Sequence, residues 1–368
     1  MKKQLTMFFF LLCLSSWSQE FVKLTTPCTK EFLQKIPGRW IKENDNLYAK
    51  IPKLQQQEIF NRLDSIHRWV DKLYSPFFGI DARWNRVTSD ADFASEYKYE
   101  HSPDAGFRSI QVNSVPVISY VYSVKFNEFL CANRDPNEYL RYHGEDGVLL
   151  KILANTLGIF ASGAQGEMAE VMQIDRRPIW TIYPVTGKWK GYDVYSSQVG
   201  SGMKIVLLHR KGMLPYIPVT RKQYLDRCMA YIPKLFAYDP KALELIPDKK
   251  ERDEQIKKSE KIKEEILKHY QDEMEATTKA GLLDSPAIIP TDLCNISNNP
   301  IFITEAVGGS LLVTENPSYF RKDFSKYIPQ LFTIILEKYN YPFPPVPDPY
   351  KVIEESFPIE KLQAMIDK

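Results

Sequence analysis

The body of this 368-residue chain has no apolar run approaching the roughly 20 residues that cross a bilayer. It also lacks a surplus of either charge. Forty-eight Lys and Arg stand against 46 Asp and Glu, and the surplus is Lys2 and Lys3 alone. Without those two the balance is 46 to 46. Phosphate neutralisation supplies most of a nucleic-acid binder's affinity and needs a basic excess, so nucleic acid is excluded as a partner.

Chemistry-bearing motifs are missing too. The five histidines show no HExxH spacing, and no Cys/His pair has zinc spacing, so neither metal nor cofactor is expected. No two cysteines form CxxC, which argues against thiol–disulfide exchange. No glycine-rich stretch ends in Gly-Lys-Ser/Thr. A serine nucleophile on a strained elbow needs glycine two residues before and after it; Ser162 has Phe160 and Ala164, and Gly200-Ser201-Gly202 fails likewise.

What is present begins with a leader. Lys2 and Lys3 precede an apolar run from Leu5 to Leu14, and Ser16 and Ser18 place small side chains before Gln19. These are the three parts of a cleavable secretory signal over 1–18, too short for a membrane anchor, so the expectation is an exported, soluble protein of the periplasm or exterior. The composition is 44% hydrophobic and 13% aromatic, enough for a packed core rather than a disordered chain. Four cysteines follow the leader: Cys28, Cys131, Cys228 and Cys294. In an oxidising compartment they allow two disulfides, with three pairings open.

The periodicity predicts an α+β fold: an antiparallel sheet built from successive hairpins with packed helices. Helices are expected over 29–36 and 52–73, the second presenting Ile59, Phe60, Leu63, Ile66, Val70 and Leu73 on one face. Val117 to Phe129 reads as β-structure. Three hairpins follow: Glu138–His143 with Val148–Leu153, Pro178–Tyr183 with Gly191–Tyr195, and Lys204–His209 with Leu214–Ile217. Thr220 and Gln223 form a capping box opening a helix whose stripe includes Cys228. Residues 248–280 are dense in Lys and Glu and read as a helix with a narrow apolar edge, supported by pairs such as Glu254 with Lys258. Strands are expected over Ile301–Thr304, Leu311–Thr314 and Gln330–Leu336, then a five-proline stretch, 342–349, and a helix over 360–366. The chain thus divides into a main α+β domain over 19–247, a charged helical connector over 248–282 and a smaller α+β segment over 283–368.

Three groups carry candidate chemistry. His143 beside Glu145 and Asp146 suits an acid/base pair but sits in a turn bounded by Gly144 and Gly147. Glu167, Glu170 and Asp175 near Trp180 resemble the carboxylates and aromatic floor of glycoside hydrolysis. Trp180, Tyr183, Trp189, Tyr192 and Tyr195, interleaved with Lys188 and Lys190, form the densest aromatic group; Trp180, Tyr183, Trp189 and Tyr192 are the binding candidates, with Trp189 at a loop tip where it could stack on a sugar or anchor a partner. Asn295-Ile-Ser297 matches a glycosylation sequon. The expectation is a non-enzymatic protein that binds a ligand, with a protein or glycan as partner. The alternatives are a glycan-directed hydrolase working through carboxylates and an assembly component docking through its Lys/Glu helix.

Overall fold

The computed structural model describes residues 20–47, 51–102, 106–141, 147–164, 166–196, 202–237, 248–290, 293, 296–297, 299–339 and 347–368. The leader lies outside them, as do Cys294, Asn295, and the turn holding His143, Glu145 and Asp146.

Strand β1 (Glu20–Lys23) leads to helix α1 (Lys30–Leu33), whose Thr29 hydroxyl accepts the Phe32 amide at 3.2 Å. Short strands β2 (Trp40–Lys42) and β3 (Asn46–Leu47) precede α2 (Lys53–Leu73). As its spacing predicts, α2 buries Ile59, Leu63, Ile66 and Val70. Strands β4 (Ile80–Ser102) and β5 (Gly106–Cys131) form one long hairpin. Then come β6 (Glu138–Arg141), β7 (Val148–Ala154), β8 (Phe160–Gly163), helix α3 (Gly166–Val171), and the two-residue strands β9 (Gln173–Ile174) and β10 (Arg177–Pro178). Next are β11 (Trp180–Ile182), β12 (Val185–Trp189), β13 (Tyr192–Tyr195), β14 (Met203–Leu208) and β15 (Tyr216–Pro218).

Helix α4 (Arg221–Leu235) opens on the expected capping box: the Gln223 amide donates to the Thr220 hydroxyl at 3.1 Å, and the Thr220 amide to Gln223 Oε1 at 2.9 Å. Thr220→Ala is expected to lower stability by about 1 kcal/mol, read as a fall in the urea midpoint, while Thr220→Ser restores it. A midpoint unmoved by the alanine would mean that the box does not hold this helix.

Asp248 caps α5 (Lys249–Lys279), the charged helix. Among the described residues, Lys250–Glu254, Lys261–Glu265 and Lys268–Asp272 run from Lys to an acid four residues on, whereas Glu260–Lys263 and Glu275–Lys279 run from acid to Lys; Tyr270 is fully buried. The chain closes with β16 (Ile288–Ile289), β17 (Ser310–Glu315), β18 (Phe332–Lys338), α6 (Pro349–Ser356) and α7 (Ile359–Gln363). Residues 301–304, expected as a strand, run irregularly into a turn of 3₁₀-helix.

The fold is α+β with mostly antiparallel sheets, but the strands do not pair as expected. Strand β6 lies between β1 and β5, whereas β7 lies between β5 and β18. Strand β11 pairs with β8 and β17, and β13 with β12 and β14. Strand β14 runs beside β18, and β15 beside β17. Each expected hairpin therefore has its two arms paired elsewhere. The larger sheet has 11 strands among the described residues, in the order β1-β6-β5-β7-β18-β14-β13-β12, with β4 joining β5. The smaller has five, ordered β15-β17-β11-β8 with β16 on β17. Because β17 and β18 are interior strands, the chain after 283 completes both sheets rather than standing apart as a smaller segment.

Alternation along single strands sets the layers. In β14, Val206 and Leu208 join α2, α6 and α7 in one core cluster, while Ile205 and Leu207 face a second cluster between the sheets. In β17, Val313 faces that second cluster, and Leu312 faces a third formed with α3, α4 and α5. The order is helix, large sheet, small sheet, helix. Strands buried on both faces explain the near-continuous apolar runs of β14 and β18.

Candidate functional site

The far half of the β4–β5 hairpin departs from regular pairing. Register shifts at Phe93, Glu96 and Tyr97 mark a bulge, with Ala94 at φ 52°. Such a conformation in a residue bearing a Cβ costs about 1 kcal/mol and must be held from outside. Arg177 does so: its Nε donates to the Ala94 carbonyl at 3.2 Å and its Nη2 to Glu96 at 2.8 Å. Asn113 adds a donor to Glu96 at 3.0 Å, and these partners hold the Glu96 carboxyl below its ordinary range.

Beneath the bulge lies Glu315 of β17. Burial pushes its carboxyl up to about 7, against the backbone N–H groups of Ala94 and Ser95 and the charge of Arg177. The folded value exceeds the ordinary value of about 4.5, so the fold favours the protonated form. Stability is full at acid pH and declines as pH rises through the interval from about 4.5 to 7. Part of the side chain still reaches water. Glu315→Gln is therefore expected to gain on the order of 2 kcal/mol over the parent at pH 8 and nothing at pH 4 in urea unfolding. An equal difference at both pH values would show that Glu315 does not titrate in that interval.

The bulge carries Tyr97 and Tyr99, two residues apart and so on one face, over the α3–β10 segment. That segment turns sharply at Asp175 and Arg176, both left-handed at φ 49° and 61°, between the paired residues Ile174 and Arg177. This is a two-residue hairpin turn made without the usual glycine. The Tyr97 amide donates to the Arg176 carbonyl at 2.8 Å and fixes the turn against the strand.

An open cleft of about 430 Å³ lies here. Tyr97, Lys98 and Tyr99 make one wall; Glu170 and Gln173, the Asp175–Arg176 turn and Arg227 of α4 make the rest. Glu170 is ion-paired with Lys234 at 3.2 Å. The Gln173 amide nitrogen donates to the carbonyls of Ala169 and Glu170, at 3.0 and 2.7 Å, while its Oε1 is buried without a hydrogen-bond partner among the described residues. Burial raises the Tyr99 hydroxyl above its ordinary value, helped by Tyr97 and Glu170. The Tyr99 ring also stacks on Phe107, with centroids 5.1 Å apart.

Compared with known protein families, curated proteins and solved structures, the chain matches none. Function must be read from the geometry.

The sequence-derived candidates are divided. Glu170 and Asp175 do share the cleft, but with Tyr97 and Tyr99 rather than with Trp180. The Trp180 ring stacks on Phe160 at 5.0 Å and lies so close to Gly163 that a Cβ there would meet it at 2.3 Å. Tyr183 packs beside it on the between-sheet cluster. Trp189 is not at an exposed tip. Its supposed loop is strand β12, so the ring turns inward, is 3% exposed, and donates Nε1–H to the Glu354 carbonyl at 2.6 Å. Tyr192 packs on the same helix-facing core. The large sheet therefore separates Trp180 and Tyr183 from Trp189 and Tyr192.

Cys28 and Cys131 form a disulfide, one of the open pairings. Cys228, also among the disulfide candidates, is instead a free buried thiol in the core of α4, pushed by burial up to about 12. The sequence reading missed Tyr97, Tyr99 and Arg227. The signal available was Tyr97-Lys98-Tyr99, an aromatic alternation in a strand-forming stretch.

Proposed function

We propose that this is an exported, non-catalytic protein that binds a ligand in the cleft beneath the β4 bulge. The observation that carries this reading is the cleft's make-up: two tyrosines on one strand face, met by cations and carboxylates from two other segments. Ligand sites combine apolar walls with a few such oriented polar groups. Export is supported by the leader and by a disulfide, a bond that persists in oxidising compartments. Glu170 is engaged by Lys234, which suits a recognition group better than a general acid.

The test is equilibrium binding of the purified protein to a panel of glycans and envelope fragments. Tyr99→Ala is expected to weaken the interaction about tenfold, or 1.4 kcal/mol. Trp189→Ala is expected to lower stability without a comparable loss of affinity in the folded fraction. Binding untouched by Tyr99→Ala would place the ligand elsewhere.

A further inference from the structure

The charged groups of the cleft are unevenly committed. Lys98 has Glu100 at 3.6 Å, Arg176 has Glu96 at 4.0 Å, and Glu170 has Lys234 at 3.2 Å. Two are left over. Among the described residues, neither the Asp175 carboxylate nor the Arg227 guanidinium has an opposite charge within 4 Å, and they do not come that close to one another.

The two carry opposite signs and line one cleft, each rooted in a fixed backbone. Asp175 belongs to the left-handed pair of the β9–β10 turn, which the Tyr97 amide holds through the Arg176 carbonyl at 2.8 Å. Arg227 stands on α4 between Leu225 and Cys228, both fully buried, so its place is set by the core beneath it. A simple ion supplies a partner to one of these groups only; a molecule carrying both charges supplies the two at once. The planar fork of arginine takes a carboxylate through two parallel N–H donors. An ionised aspartate only accepts, which suits an ammonium group. Beside them the Tyr97 and Tyr99 rings offer flat apolar surface with polar edges.

Resting on the binding role proposed above, we infer that the cleft takes a dipolar ligand, an amino acid or short peptide: its ammonium group pairs with Asp175, its carboxylate with Arg227, and an apolar side chain lies against Tyr97 and Tyr99. A lone charge or a lone tyrosine is commonplace on any surface. What selects the ligand is the convergence of an anion from the β9–β10 turn, a cation from α4 and two rings from β4. The volume of about 430 Å³ lies within the range of small-ligand sites and admits a molecule of this size.

Titration of the full mature chain with phenylalanine and glycylphenylalanine, each beside its N-acetyl and C-terminal amide forms, tests this through amide chemical-shift changes. The acetyl cap removes the ammonium and keeps the carboxylate; the amide cap does the reverse. Either cap is expected to weaken binding about three- to fivefold, the worth of a partly exposed charge pair. The tighter of the two uncapped probes distinguishes a free amino acid from a peptide. Asp175→Asn, which a left-handed position accepts readily, should cancel the cost of the acetyl cap and leave that of the amide. Arg227→Gln, a comparable helix former, should do the opposite. If capped and uncapped probes bind alike, or if both variants keep the parent's preferences, the dipolar assignment is overturned. A cost from the amide cap alone would make this an anion site and would overturn it too. If no probe perturbs the cleft, the inference falls; should another ligand of the wider panel then bind through Tyr99, the binding role survives it.

Discussion

Replacing both Cys28 and Cys131 by serine is expected to lower the unfolding free energy by about 4–5 kcal/mol, the largest effect foreseen for any change outside the main cores. The bond joins residues 103 apart in sequence, and tying such a loop removes much of the unfolded chain's freedom. Among the described residues the N-terminal arm otherwise rests on a small cluster, a short strand pairing and the Glu20–Arg39 ion pair at 2.8 Å. Its local cluster buries only Leu33, Phe129 and Tyr139, with Val22, Leu24 and Phe32 partly covered. Strand β1 pairs with β6 over four residues, and the amides of Leu24 and Cys28 reach the carbonyls of Asn137 and Pro136 at 2.7 Å each. Urea unfolding with and without a reductant should show the same loss as the double serine variant, because the thiol of Cys228 is buried apart from this bond. A loss below about 1 kcal/mol would mean that the unfolded chain is already constrained in this region. The arm would also be the first part to exchange its amide hydrogens once the bond is cut.

Local chemistry was the legible part of this sequence. The Thr220–Gln223 box stands where residue type and spacing put it, and of the six-position stripe of α2 Ile59, Leu63, Ile66 and Val70 are buried while Phe60 and Leu73 are partly covered. These features depend on neighbours within about four residues, which a sequence displays directly. Strand identity was legible where runs such as Val148–Ala154 and Phe332–Lys338 are rich in apolar and β-branched residues, but not for the long, polar-rich β4 or for β12, read as a loop. Strand partners were not. A run apolar on both faces fits any interior place in a sheet, so adjacency in sequence is a weak guide. Val148–Ala154 finds one of its partners in Phe332–Lys338, across nearly half the chain.

The site was obscured for the same reason. Glu170 and Asp175 stood out by type, but the tyrosines that face them arrive from a strand some 70 residues earlier. What brings them over is the excess of residues at Ala94 and Ser95, which no composition or period announces. Nor does Asp175-Arg176 look like a hairpin turn, because the left-handed pair lacks glycine and is held by Tyr97 and Arg177 from outside. Trp189 misled in the opposite direction. Flanking lysines gave it the look of a surface residue, whereas on a strand of period two the side chains of Lys188 and Trp189 point to opposite faces.

Asp81 offers the second large expected effect, and it separates a stranded charge from a lost contact. Its carboxylate is 1% exposed on β4 and accepts Arg141 Nη1 at 2.8 and 3.1 Å through its two oxygens. It also accepts the Arg39 amide at 2.9 Å and Arg39 Nη2 at 3.2 Å. Arg141 is itself 10% exposed and lies over the Phe129 ring at 4.5 Å, so it has little access to water if its partner is removed. Arg39 is far more open and can be resolvated; its share is small. Asp81→Ala is therefore expected to destabilise by about 3–5 kcal/mol, most of it from leaving the Arg141 charge buried and unpaired. Adding Arg141→Leu should then recover most of the loss, because an apolar pair of similar size has no charge to desolvate. Asp81→Asn should fall between, keeping one acceptor for the Arg39 amide while cancelling the charge. Urea unfolding of the parent, Asp81→Ala, Arg141→Leu and the double variant closes the cycle, with Asp81→Asn measured beside it. A double variant no more stable than Asp81→Ala would locate the loss instead in the Arg39 amide and in the pairing of β2 with β4.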